Sequence, residues 1–370
     1  MRTSLIFVFF VLLLPFTAFA QGSLDKQIGR MLLVGFRGME AGPETKIAQD
    51  IKKYHIGSVV LFDIDVSLRS AGAKNTERNI QSPEQLRRLT TQLKAASREP
   101  LFIGIDQEGG KVNRLKPVYG FPSTISADSL GKINNLDTTF QRARAIARTL
   151  RSAGINLNFA PDTDLDICPI PDSSIIHKSK RSFGKDPAHV AAHAQAFIRA
   201  HHEENILTSI KHFPGHGSAM SDTHAGFVNV TEVWKAAELE PFRQVIASGN
   251  CDMVMTGHLF NAWLDPLHPA TLSDEILNDI LRQEYHYDGL IISDDMQMGA
   301  ITKMFGLERA IELAVNAGVD ILLFGNNLNY DPDIAEKAFN TLKKLVQEGK
   351  ISKKRIKEAN KRILKLKKRL

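Results

Sequence analysis

Cysteine is nearly missing from this chain: Cys168 and Cys251 are the two it has. In an oxidising compartment such a pair invites a bridge. The strand assignment below sets them at opposite ends of a barrel, too far apart to join, so two free thiols are expected. Linkers are missing as well. No Pro/Gly/Ser-rich stretch, low-complexity tract or obvious repeat interrupts the chain, which favours one large domain over two. The apolar run at residues 5–14 is half the ~20 residues that a membrane span requires. With Arg2 before it, Pro15 at its end and Ala18-Phe19-Ala20 beyond, it has the pattern of a cleaved secretory signal over residues 1–20. An uncleaved anchor is the lesser reading, and no cysteine follows the cleavage site to carry a lipid. The expected mature chain, residues 21–370, works outside the cytoplasm, in the periplasm.

A basic cleft is also lacking, despite a net charge of +6. Residues 351–370 hold ten Lys and Arg against the single acid Glu358, so the rest of the mature chain is net acidic. Ile356, Ala359, Ile363, Leu366 and Leu370 recur there at helical spacing, which predicts an amphipathic basic C-terminal helix. Its charged face is either solvated or in weak contact with anionic cell envelope. No aromatic residues interleave with the basic ones, so no nucleic-acid partner is expected, and a monomer is the expected state.

Against these absences stands a regular alternation. Apolar runs occur at residues 31–36, 58–62, 101–106, 155–161, 206–213, 253–258, 289–295 and 320–325. Helical patterns lie between them, at 82–97, 140–154, 187–204, 273–285 and 307–318 among others, several with a Ser or Pro start and a Gly stop. Continuous apolar strands alternating with helices mean an α/β fold whose parallel sheet is covered on both faces. Eight repeats at this length predict a single-domain (β/α)8 TIM barrel, with a doubly wound open sheet as runner-up. Polar, reactive residues close the apolar runs at their C-terminal ends: Asp106-Gln107-Glu108, Asp162 and Asp164, Lys211-His212, His258 and Asp294-Asp295. A barrel gathers those ends at one mouth, where active sites sit.

Three stretches carry chemistry. Asp106-Gln107-Glu108-Gly109-Gly110 is not a phosphate loop, because Ile105 stands where the first glycine belongs. It is either a strand-ending turn or a carboxylate that accepts hydrogen bonds from a polyhydroxylated ligand. Of Asp294 and Asp295, adjacent on an extended chain, one projects into the mouth, as a structural cap or as a nucleophile that traps a sugar cation. The stretch KHFPGHGSAMSDTH, residues 211–224, offers His212, His216, Asp222 and His224 as metal ligands. Their spacing does not match the His-Glu-x-x-His pattern, however. Alternatively Asp222 and His224, on one side of an extended loop, form a proton-transfer pair. Gly215, Gly217 and Ser218 then let the loop swing. A solvated loop without function is the third reading.

The motifs LFIGIDQEGGKVNR, RSFG, KHFPGHG, SDTH and GLIISDDMQMGA, in this order and spacing, resemble the family 3 glycoside hydrolases. They are most similar to the bacterial β-N-acetylglucosaminidases, of the single-domain kind, that trim peptidoglycan fragments. The resemblance runs from about Gln27 to the C-terminus. It implies that Asp294 is the catalytic nucleophile and His224 the acid/base partnered by Asp222. Asp106, Arg114, Arg181, Lys211 and His212 match positions that hold the terminal sugar. A retaining exo-β-N-acetylglucosaminidase is then expected, free of metal or other cofactor and acting on GlcNAc-containing muropeptides or chitooligosaccharides. The stretch from Cys168 to Gly184 is slightly long, so the rim that meets the aglycone is expected to differ. Three other readings remain open: a metal-dependent barrel hydrolase, a β-glycoside phosphorylase, and a non-catalytic envelope sugar-binding protein.

Overall fold

Each of the eight apolar runs becomes a strand. In a computed structural model that describes residues 24–370 apart from 222, 224 and 225, they are β1 (Leu32–Gly35), β2 (Ser58–Leu61), β3 (Phe102–Ile105), β4 (Leu157–Asn158), β5 (Leu207–Phe213), β6 (Met253–Thr256), β7 (Leu290–Ile292) and β8 (Leu322–Phe324). All are buried along their whole length, as strands covered on both faces must be. They pair in parallel in the order β7-β6-β5-β4-β3-β2-β1-β8. A parallel bridge between Ile292 and Ile321 joins the two edges. This is the (β/α)8 barrel; the open doubly wound alternative leaves its edges apart. The segment expected to be a signal, residues 1–20, lies outside the described residues.

Eight helices cover the barrel: α1 (Lys46–Tyr54), α2 (Pro83–Ala96), α3 (Leu136–Ser152), α4 (Pro187–Glu203), α5 (Glu240–Ala247), α6 (Glu275–Glu284), α7 (Gly299–Ala317) and α8 (Ile334–Gln347). Their starts follow the local chemistry. Ser82 Oγ accepts the N–H of Gln85 at 3.1 Å ahead of α2, and Asp186 Oδ1 that of His189 at 2.8 Å ahead of α4. Each satisfies an otherwise unpaired helix amide, with proline in the first turn. Three helices depart from the expectation, α3 by beginning four residues before position 140. Helix α6 is wound wide, as a π-helix. Helix α7 begins eight residues before the expected position 307 and bends at Gly306, whose φ of +66° a helix does not accommodate.

The tail is α9 (Lys353–Lys367). It buries Ile356, Ala359, Ile363 and Leu366 as expected, while Leu370 lies past the helix end and is exposed. Much of its positive charge is structural. Arg355 and Arg362 reach the fully buried Asp320 at 2.7 and 3.3 Å. Lys367, itself buried, donates to the Gly57 carbonyl at 3.0 Å, and Arg369 pairs with Asp252. These partners stand at or just before the N-terminal ends of β2, β6 and β8, so the helix closes the floor of the barrel and leaves the mouth free. Cys251 precedes β6 at that floor and Cys168 follows β4 at the mouth; both are free thiols. Among the described residues no helix is long and apolar enough to cross a membrane.

Candidate active site

The mouth is built from strand ends. Beyond β3 the chain folds back as a hairpin, Gln107–Gly109 against Val112–Asn113. Gly110 makes the turn (φ +62°), and a Cβ there would lie 2.6 Å from Ser126 Cβ. Gln107, buried inside the hairpin, accepts the backbone N–H groups of Arg114 and Leu115 at 2.9 and 3.0 Å. Arg114 is thereby turned toward Asp106, with its NH2 3.5 Å from Oδ2.

Lys211, at the end of β5, is 2 % exposed and sits between two carboxylates, 2.8 Å from Asp106 Oδ1 and 2.7 Å from Glu108 Oε1. Arg181 takes the other side of Glu108 through two bonds, Nε to Oε2 at 2.9 Å and NH2 to Oε1 at 2.7 Å. Burial alone would raise both carboxyls. Lys211 and Arg114 outweigh it at Asp106, and Arg181 and Lys211 do so at Glu108, holding each below the ordinary carboxylate range. The Lys211 ammonium is held charged in return: Asp106 and Glu108 override the burial that would discharge it.

Beside this ladder lie Asp162 and Asp164, on the chain that leaves β4. Asp164 Oδ2 takes the His212 Nδ1–H at 2.7 Å, and its Oδ1 takes the backbone N–H of His216 at 2.7 Å. Burial pushes the Asp164 carboxyl up, but His212 brings it down to about 2. Burial and the like charge of Asp164 drive Asp162 the other way, well above its ordinary value, although Arg181 Nε stands 3.1 Å from it. His212 Nε2 lies 3.3 Å from Arg181 NH2. A guanidinium only donates, so the imidazole accepts there and carries its proton on Nδ1.

That arrangement bears on the metal reading. Among the described residues, Asp162, Asp164 and His212 form one group close enough to share an ion. Both nitrogens of His212 are committed, however, and Arg181 places a fixed positive charge against Asp162 and His212. The donor set suits the Arg181 guanidinium rather than a metal ion. His216 is not part of that group.

Both adjacent acids line the mouth cavity, not one as expected, but Asp295 is tied up as the cap. Its Oδ1 accepts the N–H groups of Gln297 and Gly325 at 3.0 and 2.9 Å, and a Cβ on Gly325 would lie 2.6 Å from its Oδ2. Asp294 hangs from Thr256 by its backbone, N–H to O at 3.2 Å, and accepts the N–H of Asp295 at 2.8 Å. Asp294 lines a cavity of about 470 Å³ together with Asp106, Arg114, Arg181, Lys211 and His212. Its size suits a sugar ring. Six of the eight residues expected at the site therefore share one pocket; the other two, Asp222 and His224, lie outside the described residues. The rim carries Ile175 and Ser179, from a short helix (Ile175–Lys178) and the residue that ends it, within the stretch judged long from sequence.

The expected swinging loop is different at its base. Residues 211–219 are all buried. Gly217 gives room for close approach, since a Cβ would lie 2.0 Å from the Leu165 carbonyl, and Gly215 (φ +121°) presses against Glu238. These glycines serve packing. The sequence placed Glu108, Asp162 and Asp164 at the mouth without assigning each a partner, and it did not single out Asp63, which pairs with Lys116 and Arg114. The available signal was position: each is an acid within a few residues of an apolar strand end.

Residues 23–366 match the model of the glycosyl hydrolase family 3 N terminal domain. A β-hexosaminidase of Idiomarina loihiensis is 35 % identical over 257 residues, covering 68 % of this chain and 74 % of that protein. Among solved structures, a family 3 β-N-acetylglucosaminidase from a Paenibacillus species is similar with a TM-score of 0.83 and 32 % identity, over 94 % of this chain and 62 % of the other. A β-N-acetylhexosaminidase from Beutenbergia cavernae gives 0.80 and 28 %, over 93 % and 98 %.

Proposed function

For a chain that belongs to glycoside hydrolase family 3, and so is a glycosidase of the β-hexosaminidase kind, we propose a retaining exo-β-N-acetylglucosaminidase that removes terminal β-linked GlcNAc from muropeptides or chitooligosaccharides outside the cytoplasm. In the first step the Asp294 carboxylate attacks the anomeric carbon. The bond to the aglycone oxygen breaks, and that oxygen takes the proton of the His224 imidazolium. In the second, water attacks the same carbon, gives its proton to the now neutral His224, and releases the sugar and the Asp294 carboxylate. Asp222 orients the imidazole and favours its charged form. An ordinary histidine pKa of about 6.5 already suits both roles near neutrality.

The observation that carries this reading is the shared cavity of Asp294, Asp106, Arg114, Arg181, Lys211 and His212. A charge-balanced ladder of buried and half-buried acids and bases offers donors and acceptors fixed in advance for sugar hydroxyls and an acetamido group. The signal-like residues 1–20 support work in the periplasm, and GlcNAc-bearing wall fragments are a substrate available there. Turnover of nitrophenyl N-acetyl-β-glucosaminide by wild type and Asp294→Ala is the test. A loss of more than about a thousandfold is expected for a missing covalent nucleophile. Wild-type activity in Asp294→Ala rejects the proposal. Labelling with an activated 5-fluoro sugar followed by peptide mass spectrometry is expected to modify Asp294 and no other residue.

A further inference from the structure

Glu238 is a buried acid outside the cavity, 1 % exposed, in a tight 3-10 turn (Ala236–Leu239) just before α5. Its Oε2 accepts two successive backbone N–H groups of the β5 loop, from Gly217 at 2.8 Å and from Ser218 at 3.2 Å. Its Oε1 receives the N–H of Lys235 at 3.4 Å, which ties the carboxylate to its own turn. On the far side of the same loop Asp164 takes the N–H of His216. Three consecutive amides, 216 to 218, thus end on two carboxylates supplied by different βα units. Gly215 and Glu238 are in such close approach that a Cβ at 215 would lie 2.5 Å from Glu238 Cβ. Trp234 adds a bond from its indole N–H to the Pro214 carbonyl at 3.3 Å.

Resting on the acid/base reading of His224 given above, we propose that Glu238 is a positioning residue for that proton transfer: its carboxylate fixes the turn from which the chain runs on to Asp222 and His224. Packing alone does not call for an acid here, because a buried carboxylate is costly where an apolar side chain fills the same space. Two amides converging on one oxygen do call for a strong acceptor, and an ionised carboxylate is stronger than an amide oxygen. Burial raises this carboxyl to about 7, with Asp164, from the β4 loop, as the like-charged group that faces it; Ser218 and the amides of Ser218 and Lys235 pull the other way. His216, in the clamped loop, is pushed by burial down to about 4 and stays neutral over the working range. The clamp therefore weakens as pH falls below 7.

The sign of that change separates it from the titration of His224. A histidine acting as acid becomes more protonated on acidification, so alone it favours substrates with poor leaving groups at low pH. Loss of the clamp disfavours them. The measured quantity is the ratio of kcat/KM for chitobiose, whose leaving group needs a proton, to that for the 2,4-dinitrophenyl glycoside, whose leaving group does not. In wild type the ratio is expected to fall as pH drops from 7 to 5. In Glu238→Gln and Glu238→Asp it is expected to be lower by about tenfold at pH 7.5, part of the 10²–10⁴ that general acid catalysis supplies, and Glu238→Gln is expected to lose the falling limb. His224→Ala is the control. If it depresses the ratio while both Glu238 variants lose the two substrates equally or not at all, the positioning role is overturned and the acid/base assignment stands. If His224→Ala leaves the ratio unchanged, the acid/base assignment falls and the positioning role with it. A wild-type ratio that rises steadily on acidification overturns the role without any variant.

Discussion

Arg181 and Glu108 meet as two planar groups, Nε to Oε2 at 2.9 Å and NH2 to Oε1 at 2.7 Å, while the Lys211 ammonium stands 2.7 Å from the same Oε1. One buried acid thus fixes the two cations expected to bind the sugar. Removing it leaves Arg181 and Lys211 facing each other with less compensation. A buried pair broken on one side costs about 3–5 kcal/mol. Glu108→Ala is expected to lower stability by an amount of that order in urea titration. Glu108→Gln, which keeps the shape and one acceptor, is expected to fold more stably than Glu108→Ala but to bind substrate weakly. A Glu108→Ala protein as stable as wild type argues against the ladder.

Arg181→Lys is expected to behave as a disruptive change despite conserving charge. A lysine makes one directional contact where the guanidinium makes two with Glu108 and faces Asp162 and His212 besides. Hydrogen bonds to charged groups contribute about 1.5–3 kcal/mol, so kcat/KM is expected to fall by about 10- to 100-fold. Steady-state kinetics on the nitrophenyl glycoside decides it; retention of wild-type kcat/KM counts against the role given to the guanidinium.

The barrel was legible because its signal repeats. Eight apolar runs each correspond to a strand, and the reactive residues that close them do share a mouth. Asp106, Arg114, Arg181, Lys211, His212 and Asp294 come together although they are spread over nearly 190 positions of sequence, because barrel closure converts strand ends into neighbours. What stayed hidden was the layer behind them. Asp164 and Glu238 act through backbone amides of the β5 loop, and nothing in a residue's type tells which amide it will meet across the fold. The glycines misled for a related reason. Gly217 suggested mobility in sequence, whereas the fold uses it to bring the loop against Leu165. The tail's charge misled in part, since whether Arg355 is solvated or holds Asp320 depends on tertiary packing.

Stability is expected to decline well before the carboxylates titrate. His201 is fully buried, accepts from Asn158 Nδ2 on Nε2 at 3.0 Å and donates from Nδ1 to the Phe197 carbonyl at 3.0 Å, which satisfies its neutral form. Burial lowers it to about 3, and burial with His212 nearby lowers His216 to about 4. In the unfolded chain both titrate near 6.5. Between the two values the unfolded state binds more protons, so stability is full above about 6.5 and is lost as pH falls toward 4, by about 1.4 kcal/mol per pH unit for each imidazole. Glu238, raised to about 7, and Asp162, raised well above its ordinary value, work in the opposite sense and together offset about two histidines, while His193, lowered by burial to about 4, adds a third, so a net decline worth about one imidazole remains. Urea titrations at pH 7.5, 6 and 5 are expected to show the decline, and His201→Gln to reduce its slope. A stability independent of pH over that interval refutes the neutral assignment.

The floor offers a stability test that leaves chemistry untouched. Asp320, fully buried at the start of β8, receives Arg282 at 2.8 Å, Arg355 at 2.7 Å and Arg362 at 3.3 Å, and accepts the N–H of Ile291 at 3.1 Å. Three guanidiniums on one carboxylate repel each other once its charge is gone. Asp320→Asn keeps the volume and a hydrogen-bond acceptor but removes the charge, so the loss is electrostatic. It is expected to be about 3–5 kcal/mol, as for other buried pairs broken from one side. Arg282 also donates to the carbonyls of Tyr287 and Gly289, so it stays in place and the repulsion is not relieved by its leaving. Asp320 lies at the barrel end opposite Asp294, and a barrel transmits little from floor to mouth while it remains folded. The variant is therefore expected to unfold at a lower temperature with kcat/KM within about twofold of wild type at 25 °C. Lost activity in an intact fold would mean that α9 supports the mouth as well as the floor.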